Sequence, residues 1–422
     1  MAAGGGGGGG AAAPLLEAIP VGRRTGRATW AQTLGNVVVS IVGTGVLGLP
    51  YAFRVAGWAA GSLGVAAAGL STYYCMILMI ECRKRLEEGD ASIRIRSYGD
   101  LGEKAFGGRG RFLTELLVLV SQAGGATAYL VFIGQNLSSV FPGRIPSYAF
   151  LFLLVLPLET AISFIRSLSA IAPFSALADV CNVLAMSIVV KDDLQLLGDL
   201  SELRTRSAFN GVLGLPFAAG VAVFCFEGFS MTLPLEDSMA ERETFRWVLS
   251  RAFLGITLCY AGFGIFGYLA YGDATRDIVT LNLPNDWSAI TVQLGLCVAL
   301  AFTFPVMMHP IHEITESRLL SSEWFQKLSR VSPAAESAGL HLARMLLVTL
   351  LTALASLIPG FGAFISLVGS TVCALLSFVL PAIFHLRFLG PSLDFKGRAL
   401  DYAILVLGLT FAAYGTFSAV SG

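Results

Sequence analysis

The sequence predicts an all-α, polytopic membrane protein with eleven transmembrane helices, and three observations support this fold class. Only 13% of the 422 residues are charged, whereas a soluble domain carries about 25%. Uncharged runs at 30–53, 55–80 and 116–143 each exceed the roughly 20 residues that cross the hydrocarbon layer. Lys and Arg also alternate in number from loop to loop, as expected for loops on opposite sides of a membrane.

The spans are defined by apolar runs between charged or Gly/Pro-rich breaks. The predicted spans are about 30–53, 56–81, 113–141, 146–165, 168–190, 208–236, 251–271, 287–312, 343–358, 361–386 and 401–421. The segment PGFG at 359–362 is a turn that divides spans 9 and 10. With this count, 22 Lys and Arg residues fall on one side and six on the other. The positive side is cytosolic, so the N-terminus is predicted in the cytosol and the C-terminus in the lumen.

The N-terminal tail, the net charge and the cysteine positions argue against several other functions. Residues 1–28 form a Gly/Ala-rich cytosolic tail that is expected to be disordered, and 29–422 form the transmembrane domain. The formal net charge is zero, which gives no indication of nucleic acid binding. The seven cysteines lie in or beside apolar segments, without disulfide or metal-ligand spacing. We therefore expect no metal and no cofactor.

Span 1 contains a glycine pattern that resembles a dinucleotide-binding turn, with Gly43, Gly45 and Gly48 in G-x-G-x-x-G spacing. That turn requires a following helix and an acidic residue about 20 positions later. Here Pro50 follows almost at once, and no acidic residue occurs between Glu17 and Glu81. The sequence therefore argues against a nicotinamide or flavin enzyme, and against an enzyme in general.

In the middle of a transmembrane span, the same segment GTGVLGLP (43–50) predicts a broken helix. Glycine tolerates unusual backbone angles, and proline removes a donor and clashes with the preceding turn. The backbone groups freed at such a break must line protein or a cavity. A broken helix offers a positive helix end to an anion and bare carbonyls to a cation. A zwitterionic amino acid has one group of each kind.

A matching break is predicted in span 6, within FCFEGFSMTLPLE (224–236). Span 6 opens a second unit of five helices, as span 1 opens the first. Because five is odd, the two units have opposite orientation, which is an inverted repeat. Repeat one is about 29–190, repeat two is about 208–388, and the helix at about 400–421 is an addition.

GTGVLGLPYAF (43–53) and FCFEGFSMTLPLE (224–236) resemble the span 1 and span 6 signatures of the amino acid/auxin permease family. Within it, the chain is most similar to proton-coupled amino acid transporters and their plant vacuolar relatives. FTFPVMMHPIHEITE (302–316) and the segment 359–386 resemble spans 8 and 10 of the same family. The resemblance implies a LeuT-like 5+5 inverted repeat and secondary transport of amino acids.

The predicted substrate site lies at the two breaks, with one contribution from span 3. Its residues are Gly43, Thr44, Gly45, Val46, Leu47, Phe226, Glu227, Gly228, Ser230 and Tyr129. Hydroxyls of Thr44 and Ser230 can bind a carboxylate or an amine, although small residues also serve helix packing. Phe226 could cap the substrate side chain.

Proton coupling is predicted at Glu227, with Asp179 and His309 as further candidates. An ionisable group at membrane depth is costly unless it is paired, hydrated or neutral, so it is usually functional. The alternatives are that Glu227 bonds the unwound backbone of span 1, that Asp179 makes a buried structural hydrogen bond, and that His309 is an interfacial residue.

The predicted function is proton-coupled transport of small neutral amino acids across an internal, vacuolar membrane, from lumen to cytosol. The expected partners are an amino acid, protons and membrane lipid, and the expected state is a monomer. Related plasma-membrane transporters carry an external disulfide; no cysteine pair occurs in the lumenal loops here, which favours an internal membrane. An amino acid sensor with little flux and a sodium-coupled transporter are the alternatives.

Overall fold

The protein is described by a computed structural model that covers residues 26–90, 93–141, 145–164, 168–196, 206–284, 286–331 and 333–421. Most of the predicted tail lies outside the described residues. Within them, the secondary structure is helical apart from one isolated β-bridge between Ala28 and Met239. The prediction of an all-α protein is therefore confirmed.

The first predicted repeat contains α1 (Trp30–Ile41), α2 (Leu49–Ala56), α3 (Trp58–Gly89), α4 (Tyr98–Val140), α5 (Ser147–Phe150), α6 (Leu156–Ser163) and α7 (Leu168–Leu196). The later part contains α8 (Leu215–Cys225), α9 (Phe229–Ser238), α10 (Phe245–Tyr271), α11 (Trp287–Ser321), α12 (Glu323–Val331), α13 (Pro333–Leu357), α14 (Phe361–Val368), α15 (Leu380–Leu389) and α16 (Phe395–Ser421).

Eight helical segments among the described residues are long and apolar enough to cross a membrane, and the bent pair α1–α2 makes a ninth. The chain is thus a polytopic membrane protein. Two further predicted spans correspond to the shorter apolar helix Ser147–Ser163 and to α7. The count of eleven crossings therefore stays a prediction.

The helix of span 1 is interrupted where the glycines predict it. A capping box between Thr29 and Gln32 starts α1, which ends at Ile41. Val42 and Gly43 are extended, and a 3₁₀ turn over Thr44–Gly48 leads into α2. The two parts of the span are bent by 50°. Pro50 stands in the first turn of α2, where its missing N–H removes no helical hydrogen bond.

The helix of span 6 is interrupted over Phe226–Gly228. The backbone of Phe226 leaves the α region as the C-cap of α8, and Gly228 is extended before α9 begins at Phe229. Pro234 stands inside α9. Both predicted breaks are present, although the inverted-repeat relationship of the two halves remains a prediction.

The helix ends group at two opposite ends of the bundle. We call the end where α1 begins the lower end; there the amide of Ala28 donates to the Ser238 carbonyl, 3.0 Å away. We call the other the upper end. Here the Arg54 guanidinium donates to the Thr275 carbonyl (2.8 Å), and the Asn210 amide donates to the Arg54 carbonyl (2.6 Å). The charge pattern of the sequence predicts that the lower end faces the cytosol.

The start of one span differs by about 15 residues from the sequence prediction, and one helix was not predicted. The helix of span 3 begins at Tyr98 rather than near 113, because Ser97 and Asp100 form a capping box. It kinks at Phe106 and Gly107, where Gly107 has a φ of 66° that favours glycine. The short helix α12 at the lower end was not predicted. The predicted turn between spans 9 and 10 is confirmed, since α13 ends at Leu357 and α14 begins at Phe361.

Candidate functional site

The two interruptions lie directly against each other. A Cβ atom on Gly45 would lie 2.9 Å from the Cys225 Sγ and 2.9 Å from a ring carbon of Phe224. A Cβ atom on Gly228 would lie 3.0 Å from a side-chain carbon of Ile41. Glycine is therefore required for this close approach, and the 3₁₀ turn of span 1 packs on the end of α8.

A tyrosine on α10 joins the two broken helices. The Tyr260 hydroxyl lies 3.3 Å from the Ile41 carbonyl oxygen and 3.1 Å from the Cys225 carbonyl oxygen. Ile41 is the last residue of α1 and Cys225 the last of α8, so both carbonyls lack the helical partner they would otherwise have. Tyr260 is 1% exposed. This single hydroxyl therefore fixes the relative position of the two helix ends.

Glu227 occupies the break in span 6 and is partly buried. The backbone amide of Phe229, at the start of α9, donates to its carboxylate. Tyr98 and Cys373 are close enough to interact with it electrostatically. No Lys or Arg forms an ion pair with it in the described part of the chain. Its carboxylate is thus held by the backbone without a counter-charge among those residues.

The hydroxyl groups predicted at the breaks differ in whether they have a hydrogen-bond partner. Thr44 is 4% exposed, and its hydroxyl makes no hydrogen bond to any described residue. Ser230 accepts a hydrogen bond from the Gln122 amide, 3.2 Å away. Tyr129, the predicted contribution from span 3, places its hydroxyl 3.6 Å from where a Cβ on Gly43 would stand. The predicted span 3 residue therefore lies at the break in span 1.

Three predicted residues point into packed protein. Val46 and Leu47 are each 2% exposed, so only their backbone can meet a ligand. The Phe226 ring stacks on Phe253 and contacts Tyr260, with ring centroids 5.8 and 5.1 Å apart. In this conformation Phe226 anchors the break against α10 and does not cap an open space.

The structure describes only one of the other two proton candidates, His309. Asp179 lies on α7, but its side chain lies outside the described residues. His309 lies on α11, 37% exposed, with Nδ1 4.0 Å from the exposed carboxylate of Glu313 on the next turn. No hydrogen bond or ion pair links His309 to Glu227 in the described residues. Glu227 therefore lies at the breaks, and His309 does not.

Several polar residues that sequence reasoning missed lie close to the breaks or between the helices that carry them. Tyr260 and Gln122 contact the break residues directly. His385 lies between two carboxylates on different helices. Of these residues, the sequence could have pointed only to His385, because it is one of four histidines and stands in an apolar run.

Two cavities open at the upper end. The larger, of about 810 Å³, has a polar wall that includes Gln135, Ser138, Asn282 and Arg276. The smaller, of about 270 Å³, is bounded by Tyr51, Phe217, Arg276 and Asp277. Tyr51 belongs to α2, the upper half of the broken span 1. The upper end therefore holds water-accessible space next to the helix that carries the first break.

Residues 26–421 match the family model described as transmembrane amino acid transporter protein. The chain is 54% identical over 417 residues to amino acid transporter ANT1 of Arabidopsis thaliana, covering 97% of this chain and 96% of that protein. It is 38% identical to amino acid transporter AVT3B of the same plant, covering 92% of each chain. Vacuolar amino acid transporter 4 of Saccharomyces cerevisiae is 27% identical, over 91% of this chain and 57% of that protein.

The fold is similar to the crystal structure of MhsT in complex with L-phenylalanine. The TM-score is 0.56 at 15% sequence identity, and the match covers 94% of this chain and 100% of that chain. This likeness concerns the fold alone, and it agrees with the LeuT-like fold that the family resemblance implied. From the family match and these relatives, this integral membrane protein belongs to the transmembrane amino acid transporter family, whose members are transporters and not enzymes.

Proposed function

We propose that the protein is a proton-coupled transporter of small neutral amino acids, with its substrate site at the two breaks. The observation that carries the proposal is the meeting of the interrupted helices at Ile41–Gly45 and Cys225–Gly228. The full arrangement would be eleven crossings, with two inverted units of five and a final added helix. The broken helices belong to the first span of each unit.

The backbone at the breaks suits both ends of an amino acid. The start of α9 and the 3₁₀ turn at Thr44 present amide groups, and these can bind the substrate carboxylate. The ends of α1 and α8 present carbonyls for the ammonium group, and each carbonyl keeps a free lone pair because the two share the one proton of the Tyr260 hydroxyl. The free hydroxyl of Thr44 adds a further polar contact.

The same surroundings argue for neutral substrates. Glu227 is the only charged side chain at the breaks, and no Lys or Arg pairs with it among the described residues. A substrate with a second charge would bring that charge into a buried site without a partner, which costs several kcal/mol. We therefore expect alanine and proline to be carried faster than arginine or glutamate.

Glu227 is proposed to carry or control the coupling proton. Once protonated, it is neutral, and a dry cavity can close around the substrate at lower cost. The relative named as a vacuolar transporter supports a vacuolar membrane, whose lumen is acidic. Protonation on the lumenal side and release on the cytosolic side would then move proton and amino acid together from lumen to cytosol.

The direct test is uptake by the purified protein in liposomes under an imposed pH gradient. Radiolabelled alanine, proline, arginine and glutamate are compared, with and without a sodium gradient. The proposal expects alanine and proline to accumulate with the proton gradient alone. Accumulation that requires sodium, or faster transport of arginine or glutamate, would overturn the coupling or the selectivity. Specific binding without flux would indicate a sensor.

A further inference from the structure

A buried histidine at the lower end lies between two carboxylates from different helices. His385, on α15, is 4% exposed; its Nδ1 lies 2.6 Å from Oδ2 of Asp401 on α16. Its Nε2 lies 3.2 Å from Oε2 of Glu81 on α3. The other oxygen of Glu81 accepts from the Arg246 guanidinium on α10, 2.7 Å away. One imidazole thus connects three helices directly and a fourth through Glu81.

This geometry specifies the protonation state of the ring. Where both carboxyl groups are ionised they only accept hydrogen bonds, so each ring nitrogen must donate, and an imidazole has two N–H groups only as the imidazolium. Neutral His385 could donate to only one of the two, Asp401 or Glu81, and Glu81 would still keep its bond from Arg246. For Asp401 the loss of this donor is severe, because its side chain is 0% exposed and its Oδ1 has no hydrogen-bond partner among the described residues.

Among the described residues, the titratable and charged groups that neighbour this cluster can be named by helix. Tyr74 and Cys75 on α3 face Asp401, and Cys82 on α3 faces both Asp401 and Glu81. On α16, the Arg398 guanidinium donates to the Gly390 carbonyl instead. Arg246 is therefore the cation that lies on this group, and it binds Glu81 rather than the histidine. With Arg246 beside Glu81, the proton on His385 is left to neutralise Asp401.

We propose that His385 is a second proton-binding site, separate from the substrate site, that holds α15 and α16 against α3 when it is protonated. α3 and α10 pack on each other and on the broken spans, and α16 packs on the segments of span 10 and also on α8. Any rocking of the broken spans against span 10 would pull Glu81 away from His385. Protons at the lower end therefore stabilise the described arrangement, and a rise in pH on that side weakens it.

The proton has a route to this site. Glu81 is 32% exposed and Arg246 is 47% exposed, so the Glu81 side of the group meets water at the lower end. The Asp401 side is fully enclosed. Exchange with bulk solvent is therefore expected through the Glu81 side, on the face that the charge pattern assigns to the cytosol.

The test uses the four histidines of the chain, His309, His312, His341 and His385. The full-length protein is labelled with ¹⁵N-histidine, reconstituted in phosphatidylcholine vesicles and titrated by solid-state NMR, which needs no transport activity. One ring is expected to keep both N–H groups at pH 8, and His385→Gln should remove that signal. The control His341→Gln changes a ring outside this group, which contacts Ser337 on its own helix, and should leave the signal unchanged.

A second variant keeps the test decisive if His385→Gln does not fold. Asp401→Asn removes one of the two charges, and loss of a carboxylate at this distance should lower the midpoint of the His385 signal by about one pH unit or more. Glu81→Gln should shift the same signal in the same direction. A His385 ring that is neutral at pH 7 in the unaltered protein, or a midpoint that neither carboxylate variant moves, would overturn the proposal.

Discussion

Arg83 and Glu236 form an ion pair with 2.6 Å between Nη2 and Oε2, and their side chains are only 2% and 9% exposed. Arg83 also donates to the Leu233 carbonyl, 3.2 Å away. Arg83 belongs to α3, and both of its partners belong to α9, the second part of the broken span 6. The pair therefore closes the lower end beneath the break that carries Glu227.

Removing one member of this pair should destabilise the protein strongly. Glu236→Gln leaves the buried Arg83 charge with only the longer contact to the part-exposed Asp237 carboxylate, 3.9 Å away, and breaking a buried pair costs about 3–5 kcal/mol. The matched control is Glu88→Gln, because Glu88 pairs with Lys84 at 3.8 Å on the exposed surface of the same helix α3, where a pair contributes about 0–1 kcal/mol. Thermal unfolding in detergent should show a clear fall for Glu236→Gln and almost none for Glu88→Gln. Equal shifts would contradict the proposed role of the pair.

The contact between the two breaks can be tested with a single methyl group. Gly45→Ala would place its Cβ 2.9 Å from the Cys225 Sγ, and overpacking of this kind costs about 1–3 kcal/mol. Gly35→Ala is the control, since Gly35 lies on α1 with nothing within 4 Å of its would-be Cβ. That change should be neutral or stabilise by about 0.5–1 kcal/mol. Melting temperatures and uptake rates should fall for Gly45→Ala alone; a fully active, stable Gly45→Ala protein would refute the close approach.

Tyr260→Phe removes the hydroxyl that joins the ends of α1 and α8. The one O–H proton, shared between the Ile41 and Cys225 carbonyls, is lost, which costs about 0.5–1.5 kcal/mol, while the ring still packs against Phe226. We expect a lower melting temperature and slower amino acid uptake. Tyr268→Phe, two turns along the same helix and equally buried, is the control. If both variants behave alike, the bridge to Ile41 and Cys225 has no special role.

The sequence was sufficient to predict the features that depend on local patterns. Uncharged runs located the helices, and the glycines with Pro50 and Phe226–Gly228 located both interruptions. The start of α4 was misjudged because Tyr98–Ala105 carries charges, whereas the capping box at Ser97 decides where the helix begins. Composition alone could not separate such a helix from a loop.

Side-chain partners across the fold could not be predicted in the same way. Tyr260 is one of 11 tyrosines, and nothing in its neighbourhood indicates that its hydroxyl meets residues 41 and 225. Glu81 and His385 are separated by 304 positions. Such pairs depend on how the helices pack, and one sequence contains no local pattern that specifies that packing.

The orientation of the chain is a further prediction, based on the 22-to-six distribution of Lys and Arg. With eleven crossings, the N-terminus is cytosolic and the C-terminus lumenal. Impermeant thiol reagents applied to sealed vacuolar vesicles can label a cysteine tag at either end. The N-terminal tag should react from outside the vesicles and the C-terminal tag only after permeabilisation. Both tags on one side would refute the odd number of crossings.

The central claim is that Glu227, at the meeting point of the two broken helices, carries or controls the coupling proton. Glu227→Gln mimics the neutral, protonated side chain and cannot release a proton. Its matched controls are Asp179→Asn and His309→Gln, which alter the two rival candidates.

The most direct measurement is accumulation of labelled alanine by reconstituted protein under a pH gradient, together with exchange of labelled for unlabelled alanine without one. For Glu227→Gln we predict that pH-driven accumulation falls to the level seen without a gradient while exchange persists, and that both controls retain accumulation. A Glu227→Gln protein that accumulates alanine at the normal rate would contradict the account and move the coupling proton to Asp179 or His309.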